Sequence, residues 1–175
     1  MSFMVNHLIG FGVGKFQVLL GNATGTNIGN SSVGFSAGGL AAAFDGVTNQ
    51  ALVSCCRSNG GNPAWFGKYF SSQAKLWSGF RVYSPNNALI SGNTSGHTGT
   101  WEFYVKQFGQ ATSETDGTLV ATGTWVEPTS FTSQYEVSNL LINPTAGESA
   151  FVRLRFIGNS GNDVNVAEVQ LFHDS

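Results

Sequence analysis

Histidines and cysteines are the side chains most able to carry catalysis in this chain, and their spacing matches no catalytic motif. The histidines stand far apart, at His7, His97 and His173, and the two cysteines, Cys55 and Cys56, are adjacent. A catalytic nucleophile needs a base within hydrogen-bond reach. The sequence contains no His-Glu-x-x-His, Cys-x-x-Cys, Gly-x-Ser-x-Gly or phosphate-loop pattern that would supply a metal site or such a pair. We therefore expect a protein that is not an enzyme.

The adjacent cysteines leave two interpretations open. A vicinal disulfide between Cys55 and Cys56 would be strained and would close no useful loop. Two thiols in a strand, in a protein made in a reducing cytoplasm, are the expected state.

Charge and hydropathy argue against two classes of partner. The chain has eight Lys and Arg against ten Asp and Glu, a net charge of −2, and only 10% of its residues are charged. The basic residues are scattered, so we expect no nucleic-acid binding through phosphate neutralisation. No run of about 18 apolar residues occurs, so we expect no membrane insertion. The first residues lack the basic segment and cleavage site of a signal peptide, so we expect synthesis in a host cytoplasm.

Short apolar runs with partial alternation between apolar and polar residues predict β-strands along most of the chain. Turn clusters rich in Gly, Asn and Ser separate these runs. About eight short strands at this spacing are typical of an all-β sandwich or barrel. The predicted strands are Gln50–Cys56, Ala64–Tyr69, Leu76–Tyr83, Thr100–Gln107, Thr118–Thr124, Gln134–Leu141, Phe151–Ile157 and Val166–Phe172. Residues Gly38–Phe44 fit one short helical turn.

The first 35 residues differ from the rest. They are rich in Gly, Asn and Ser, with one strand-like run at Lys15–Leu20, and they cannot form a core alone. We predict an N-terminal arm over residues 1–35, used for docking or oligomerisation, and a folded domain over residues 36–175. The loop Ser84–Gly99 of that domain is long, and long polar loops on a rigid sandwich often carry binding residues.

Several segments of the predicted domain follow one another in a recognisable order. They are AAAFDGVTNQ at Ala41–Gln50, WFGKYF at Trp65–Phe70, AKLWSGFRVY at Ala74–Tyr83, TWEFYV at Thr100–Val105, DGT at Asp116–Thr118, FVRLRF at Phe151–Phe156 and AEVQLF at Ala167–Phe172. Over residues 35–175 the series resembles the F5/8 type C (discoidin, galactose-binding-like) domain, including carbohydrate-binding modules of that fold. It looks most like the copies in tailed-bacteriophage virion proteins. The resemblance implies an eight-stranded antiparallel jelly-roll β-sandwich, here with an N-terminal extension.

The resemblance also implies a structural calcium site. In the family, the Ala-Phe-Asp-Gly turn commonly wraps the ion and a Glu of the last strand completes the shell. By resemblance, Asp45 and Glu168 would be the carboxylate ligands, with the carbonyls near Val47 and Ala167 and the side chain of Gln50 as further ligands. The family often has Thr or Ser at position 50 and Asn at position 47. In the alternative interpretation, Asp45 caps the turn through its own backbone and Glu168 is an ordinary strand residue.

Loop residues supply the candidates for sugar binding. Sugar hydroxyls are held by amides and by fork-shaped cationic donors, and Arg57, Asn59, Asn86 and Asn87 have these groups in or next to predicted loops. Trp125 begins a predicted loop and could stack on a sugar face, with packing in the core or at its rim as the alternative.

These features together predict a non-catalytic surface protein of a phage or phage-like virion, either a head decoration or spike or a tail-fibre component. The arm would bind other virion proteins or form a homo-oligomer, and the loops would contact host-surface glycans. Two alternatives remain open: a carbohydrate-binding module or lectin associated with a glycosidase, and a cement protein that binds only virion subunits.

Overall fold

The chain folds into antiparallel sheets with one short 3-10 helix, as seen in a computed structural model that describes residues 17–19, 24–30, 35–51, 54–58, 63–71, 73–85, 98–127, 136–156 and 164–174. The helix spans Leu40–Phe44. The strands are β1 (Gln17–Leu19), β2 (Thr26–Gly29), β3 (Phe35–Ala37), β4 (Cys56–Ser58), β5 (Ala64–Tyr69), β6 (Lys75–Tyr83), β7 (Thr98–Lys106), β8 (Thr118–Val126), β9 (Glu136–Gly147), β10 (Ser149–Phe156), β11 (Asn165–Val166) and β12 (Glu168–Asp174).

Two larger sheets form a sandwich. One has the strand order β1-β12-β6-β9 and the other β2-β5-β10-β7-β8, while β11-β4-β3 form a small third sheet. Non-consecutive neighbours dominate this order, as expected when strands alternate between the two layers of a jelly roll.

Alternation along the central strands places one set of side chains between the large sheets. Val152 and Leu154 of β10 lie in this core. Phe80 of β6 packs against Trp101 and Phe103 of β7, with ring centroids 5.0 and 5.5 Å apart. Each large apolar side chain buried in this way stabilises the fold by about 1.5–3 kcal/mol, so this core supplies the rigid support for the loops.

A second apolar cluster covers the outer face of the five-stranded sheet. It contains Ile28, Trp65, Tyr104, Ala111 and Phe151. Ala111 comes from the segment that follows β7, and Tyr104 and Phe151 stack with their centroids 5.0 Å apart. The segment after β7 therefore packs on this face.

The predicted all-β class is confirmed, and individual strands agree to different degrees. The prediction for Ala64–Tyr69 matches β5 at both ends. The strand predicted at Gln50–Cys56 begins later, at Cys56 in β4. The amides of Ser54 and Cys55 both donate hydrogen bonds to the carbonyl of Ala51 and form a turn before that strand. The two cysteines are free thiols, as expected, and both are buried.

The predicted helical turn is confirmed by the 3-10 helix Leu40–Phe44. Across the described ranges, no helix has the length and apolar character needed to cross a bilayer.

The described part of the predicted arm lies in the sheets. Strand β1 pairs with β12, and β2 pairs with β5 from Thr26↔Tyr69 to Gly29↔Phe66. Residues 17–19 and 26–29 therefore extend the two large sheets, so the sheets reach beyond the predicted boundary at residue 35. Docking or oligomerisation through residues 1–35 stays a prediction.

Candidate functional site

Several long connections of the sandwich join strand ends that lie on one side of it. The register pairs Tyr83 with Glu136 in one large sheet. In the other it pairs Thr98 with Val126 and Gly99 with Phe156. In each sheet, these strands therefore begin or end on the same side. Connections 84–97, 127–135 and 157–164 join strands at these ends, and connection 59–63 enters β5 at Ala64, opposite Leu154. We call this side, with its four connections, the loop end.

The connection from β9 to β10 shows that both large sheets present the loop end on the same side. Trp77, near the start of β6, donates its indole N–H to the carbonyl of Gly147 at 2.9 Å. After Gly147 and Glu148 the chain enters β10 at Ser149, which pairs with Lys106 at the far end of β7. The starts of β6 and β10 and the end of β7 therefore lie together, opposite the loop end, where a single residue, Glu148, connects β9 to β10.

Along the sequence, the predicted sugar-binding residues other than Trp125 fall in or beside connections 59–63 and 84–97. Arg57 is half-buried in β4, where it pairs with Asn165, and it lies two residues before connection 59–63. Asn59, Asn86 and Asn87 lie outside the described residues. Their role in sugar binding stays a prediction.

Trp125 is a core residue, and the prediction of a sugar platform there needs correction. Its side chain is only 3% exposed and belongs to the main apolar cluster. Its indole N–H donates to the carbonyl of Thr100 at 3.3 Å. The ring lies over Gly99, where a methyl group would overlap it and the carbonyl oxygen of Arg155. Because strand β8 continues through Val126, the ring faces inward and its faces cannot stack on a ligand.

The structure brings Asp45 and Glu168 together beside the 3-10 helix. Glu168 is fully buried, and its Oε2 accepts the amide of Gly46 at 3.0 Å. Burial, and secondarily the charge of Asp45, raises the pKa of the Glu168 carboxyl to about 7, although backbone amides and Lys68 oppose the shift. Glu168 is therefore not an ordinary surface residue of a strand.

Asp45 makes two kinds of contact. Its Oδ1 accepts the amide of Val47 at 2.9 Å, which is the turn-capping bond considered above. Its Oδ2 lies 2.5 Å from Nε2 of Gln50. Capping uses only one carboxylate oxygen, so the same aspartate can cap the turn and still present Oδ2 to a ligand.

Gln50 tests whether these residues fit calcium. It is 8% exposed, and its Nε2 also lies 3.4 Å from the carbonyl of Ala42. Its Oε1 is buried and accepts no hydrogen bond from the described residues. A half-turn of the amide exchanges Nε2 and Oε1. The oxygens of Gln50, Ala42 and Asp45 would then face one another, an arrangement that a cation stabilises.

Carboxylates alone do not make a metal site here. In the part of the chain that the structure describes, no group of three or more His, Cys, Asp or Glu side chains could hold a metal ion. Calcium, however, takes six to eight oxygens, many from backbone carbonyls and side-chain amides. The donor set of Ala42, Asp45, Gln50 and Glu168 therefore fits calcium and does not fit zinc, which prefers Cys and His.

Lys68 is a charged residue of this region that no sequence motif indicates. It is 3% exposed, donates to Oδ1 of Asn27 at 2.6 Å, and lies over the ring of Phe44 at 4.6 Å. Burial lowers the pKa of its ammonium group, and the charge of Glu168 opposes that shift. A signal was present: in β5, Ala64, Phe66 and Lys68 alternate on one face, which places the lysine on the core side.

Comparisons with solved structures identify the fold. The family 32 carbohydrate-binding module of NanJ from Clostridium perfringens, solved with galactose, is 17% identical with a TM-score of 0.60, covering 90% of this chain and 99% of that one. The lectin domain of lectinolysin, solved with Lewis B antigen, is 15% identical with a TM-score of 0.56, covering 88% and 96%. An F5/8 type C domain from Bacteroides fragilis is 13% identical with a TM-score of 0.55, covering 91% and 97%.

The fold is the galactose-binding-like jelly roll. This confirms the fold implied by the sequence resemblance. At these identities the similarity concerns the fold alone. No protein-family model and no curated protein matches the sequence. The solved structures described above are carbohydrate-binding, lectin and F5/8 type C domains, and they do not support the resemblance to virion proteins.

Proposed function

We propose that this chain is a non-catalytic carbohydrate-binding domain that binds a glycan at the loop end. The observation that carries the proposal is the jelly-roll fold shared with the NanJ module and the lectinolysin lectin domain, which were solved with galactose and Lewis B antigen. The loop end supports it, since the strand ends that these four connections join lie together on one side of a rigid sandwich.

The side chains on these connections suit sugar hydroxyls. Asn59, Asn86 and Asn87 each carry a carbonyl oxygen that accepts and an amide nitrogen that donates, and Arg57 adds a fork of N–H donors. A vicinal pair of hydroxyls presents alternating donors and acceptors that match such groups. Binding by one domain would be weak, and several copies acting together would raise it by avidity.

The glycan proposal is tested with the neighbours' ligands as probes. The purified chain is screened on an array of galactose- and fucose-terminated glycans, and the best ligand is titrated by calorimetry against wild type, Asn86→Ala/Asn87→Ala and Phe108→Ala. Phe108 is 72% exposed beyond the end of β7, away from the loop end, and serves as the control. We expect the double variant to lose at least about tenfold in affinity, or 1.4 kcal/mol, and the control to bind like wild type. Equal losses in both variants would contradict binding at the loop end.

We also propose a structural calcium ion held by Asp45, Gln50 and Glu168, with carbonyl oxygens of Ala42 and Ala167 and the predicted carbonyl near Val47. The ion would balance the two carboxylates and fix the 3-10 helix against the start of β12. The donor set described above supports this proposal.

Thermal unfolding with calcium and with EDTA tests the calcium site. At 100 times the dissociation constant, calcium should add about 2.7 kcal/mol of stability. Asp45→Asn should remove most of this gain, whereas Asp174→Asn, at the far end of β12, should keep it. Identical melting curves of the wild type with and without calcium would contradict the site.

Placement on a virion remains a prediction from the sequence. The neighbours favour the alternative, a carbohydrate-binding module or lectin, as the main function. Electron microscopy of labelled phage particles would test the virion location, docking through residues 1–35 and homo-oligomerisation together.

A further inference from the structure

A buried ammonium group lies beside the Asp45–Glu168 site. Lys68 is almost completely enclosed, and it is the inward-facing residue of β5 that follows Phe66. Its Nζ lies 4.6 Å from the ring centroid of Phe44, the residue directly before Asp45. Lys68 therefore lies next to the turn that contains Asp45 and Gly46. The amide of Gly46 donates a hydrogen bond to Glu168.

Burial of this charge is costly unless a counter-charge lies nearby. Two neutral groups contact Nζ: the amide oxygen of Asn27, at 2.6 Å, and the aromatic face of Phe44. Glu168, which is fully buried, is an anionic group whose charge acts on Lys68. The two residues thus belong to one buried charge cluster with Asp45.

We propose that Lys68 is a built-in counter-cation of the Asp45–Glu168 site, and that its charge keeps calcium binding weak. The inference rests on the calcium site proposed above. When both carboxyl groups are ionised, two carboxylates and one ammonium leave a net charge of −1, where the carboxylates alone would leave −2. The ammonium already balances part of the charge that calcium would balance, and it repels the arriving dication.

Two consequences follow from this charge balance. Calcium affinity depends on the number of ligand charges, and sites in extracellular modules reach dissociation constants of about 10⁻⁴–10⁻³ M, which is the range expected here. The domain should also stay folded without calcium, because Lys68 keeps Glu168 compensated. Calcium would then add to the stability of the turn and would not be required for folding.

Calorimetric titration with calcium chloride tests the role of Lys68. Lys68→Met removes the charge and keeps the length of the chain, and Lys68→Arg keeps the charge. Lys75→Met is the matched control, since Lys75 also lies over an aromatic ring, Phe70, at 5.4 Å and contacts a side-chain amide oxygen, that of Gln73, at 3.2 Å. It lies at the start of β6, away from the loop end.

We expect Lys68→Met to bind calcium on the order of tenfold to a hundredfold more tightly than wild type, and Lys68→Arg and Lys75→Met to bind like wild type. Circular dichroism checks folding, and Lys68→Gln is the second variant. If the uncharged variants fold only with calcium, the ion has replaced the ammonium, which also supports the inference. Equal calcium affinity in all variants would overturn the inference and leave the calcium site intact. Absence of calcium binding in every variant would overturn the calcium site itself, and the inference with it.

Discussion

Replacing Trp125 with Ala separates a core role from a sugar-binding role. The ring is buried against Gly99, and its N–H donates to Thr100. Truncation of a buried Trp to Ala costs about 3–5 kcal/mol, since it loses the transfer free energy and leaves a cavity. For a domain of this size, each kcal/mol lowers the melting temperature by about 2–4 °C, so we expect a fall of about 10 °C.

Urea unfolding followed by circular dichroism gives the free energy directly. Leu119→Ala is the control, because Leu119 lies on the same strand and is 47% exposed. It should change stability by about 0.5 kcal/mol or less. A loss below about 1 kcal/mol for Trp125→Ala, accompanied by loss of glycan binding, would refute the core assignment and restore Trp125 as a platform.

Two further predictions concern the ion pairs of the five-stranded sheet. Arg153 contacts Glu102 and Glu114, each at 2.8 Å, and the Glu102 side chain is 16% exposed while that of Glu114 is 34% exposed. Glu102→Ala should therefore cost about 3 kcal/mol in urea unfolding and Glu114→Ala less than about 1 kcal/mol; similar costs would contradict this ranking. The hydrogen bond from Lys106, and then the amide of Thr112, lowers the pKa of Asp116. Because the pKa of Asp116 is lower in the folded state, its ionised form stabilises the fold above the unfolded-state pKa of about 3.9, and this stability is lost as pH falls through the folded-state pKa. Asp116→Asn should therefore flatten the acid side of a curve of unfolding free energy against pH. An unchanged slope would contradict the lowered pKa of Asp116.

The fold was largely predictable because its signals are local. Period-2 alternation marks strands such as Ala64–Tyr69, and Gly- and Asn-rich clusters mark the connections between them. The displaced prediction at Gln50–Cys56 has a physical cause. Cys55 is buried in the turn that precedes β4, so burial in a turn gives the same apolar pattern as burial in a strand.

The candidate site was less predictable, because it depends on long-range geometry. Asp45 and Glu168 were paired through resemblance to a family, and the structure brings them together across more than a hundred residues. The turn residues that follow Trp125 predict a loop there, whereas β8 extends to Val126. Lys68 was missed because its partners come from β2, the 3-10 helix and β12, which no local pattern connects.

Glycan binding at the loop end is tested most directly by a titration of the full chain with the best ligand from a galactose- and fucose-terminated array, repeated with Asn86→Ala/Asn87→Ala. The wild type should bind with a measurable affinity, and the double variant should lose at least about tenfold of it with an unchanged melting temperature. A chain that binds no glycan on the array, or a double variant that binds as tightly as the wild type, would contradict glycan binding at this site.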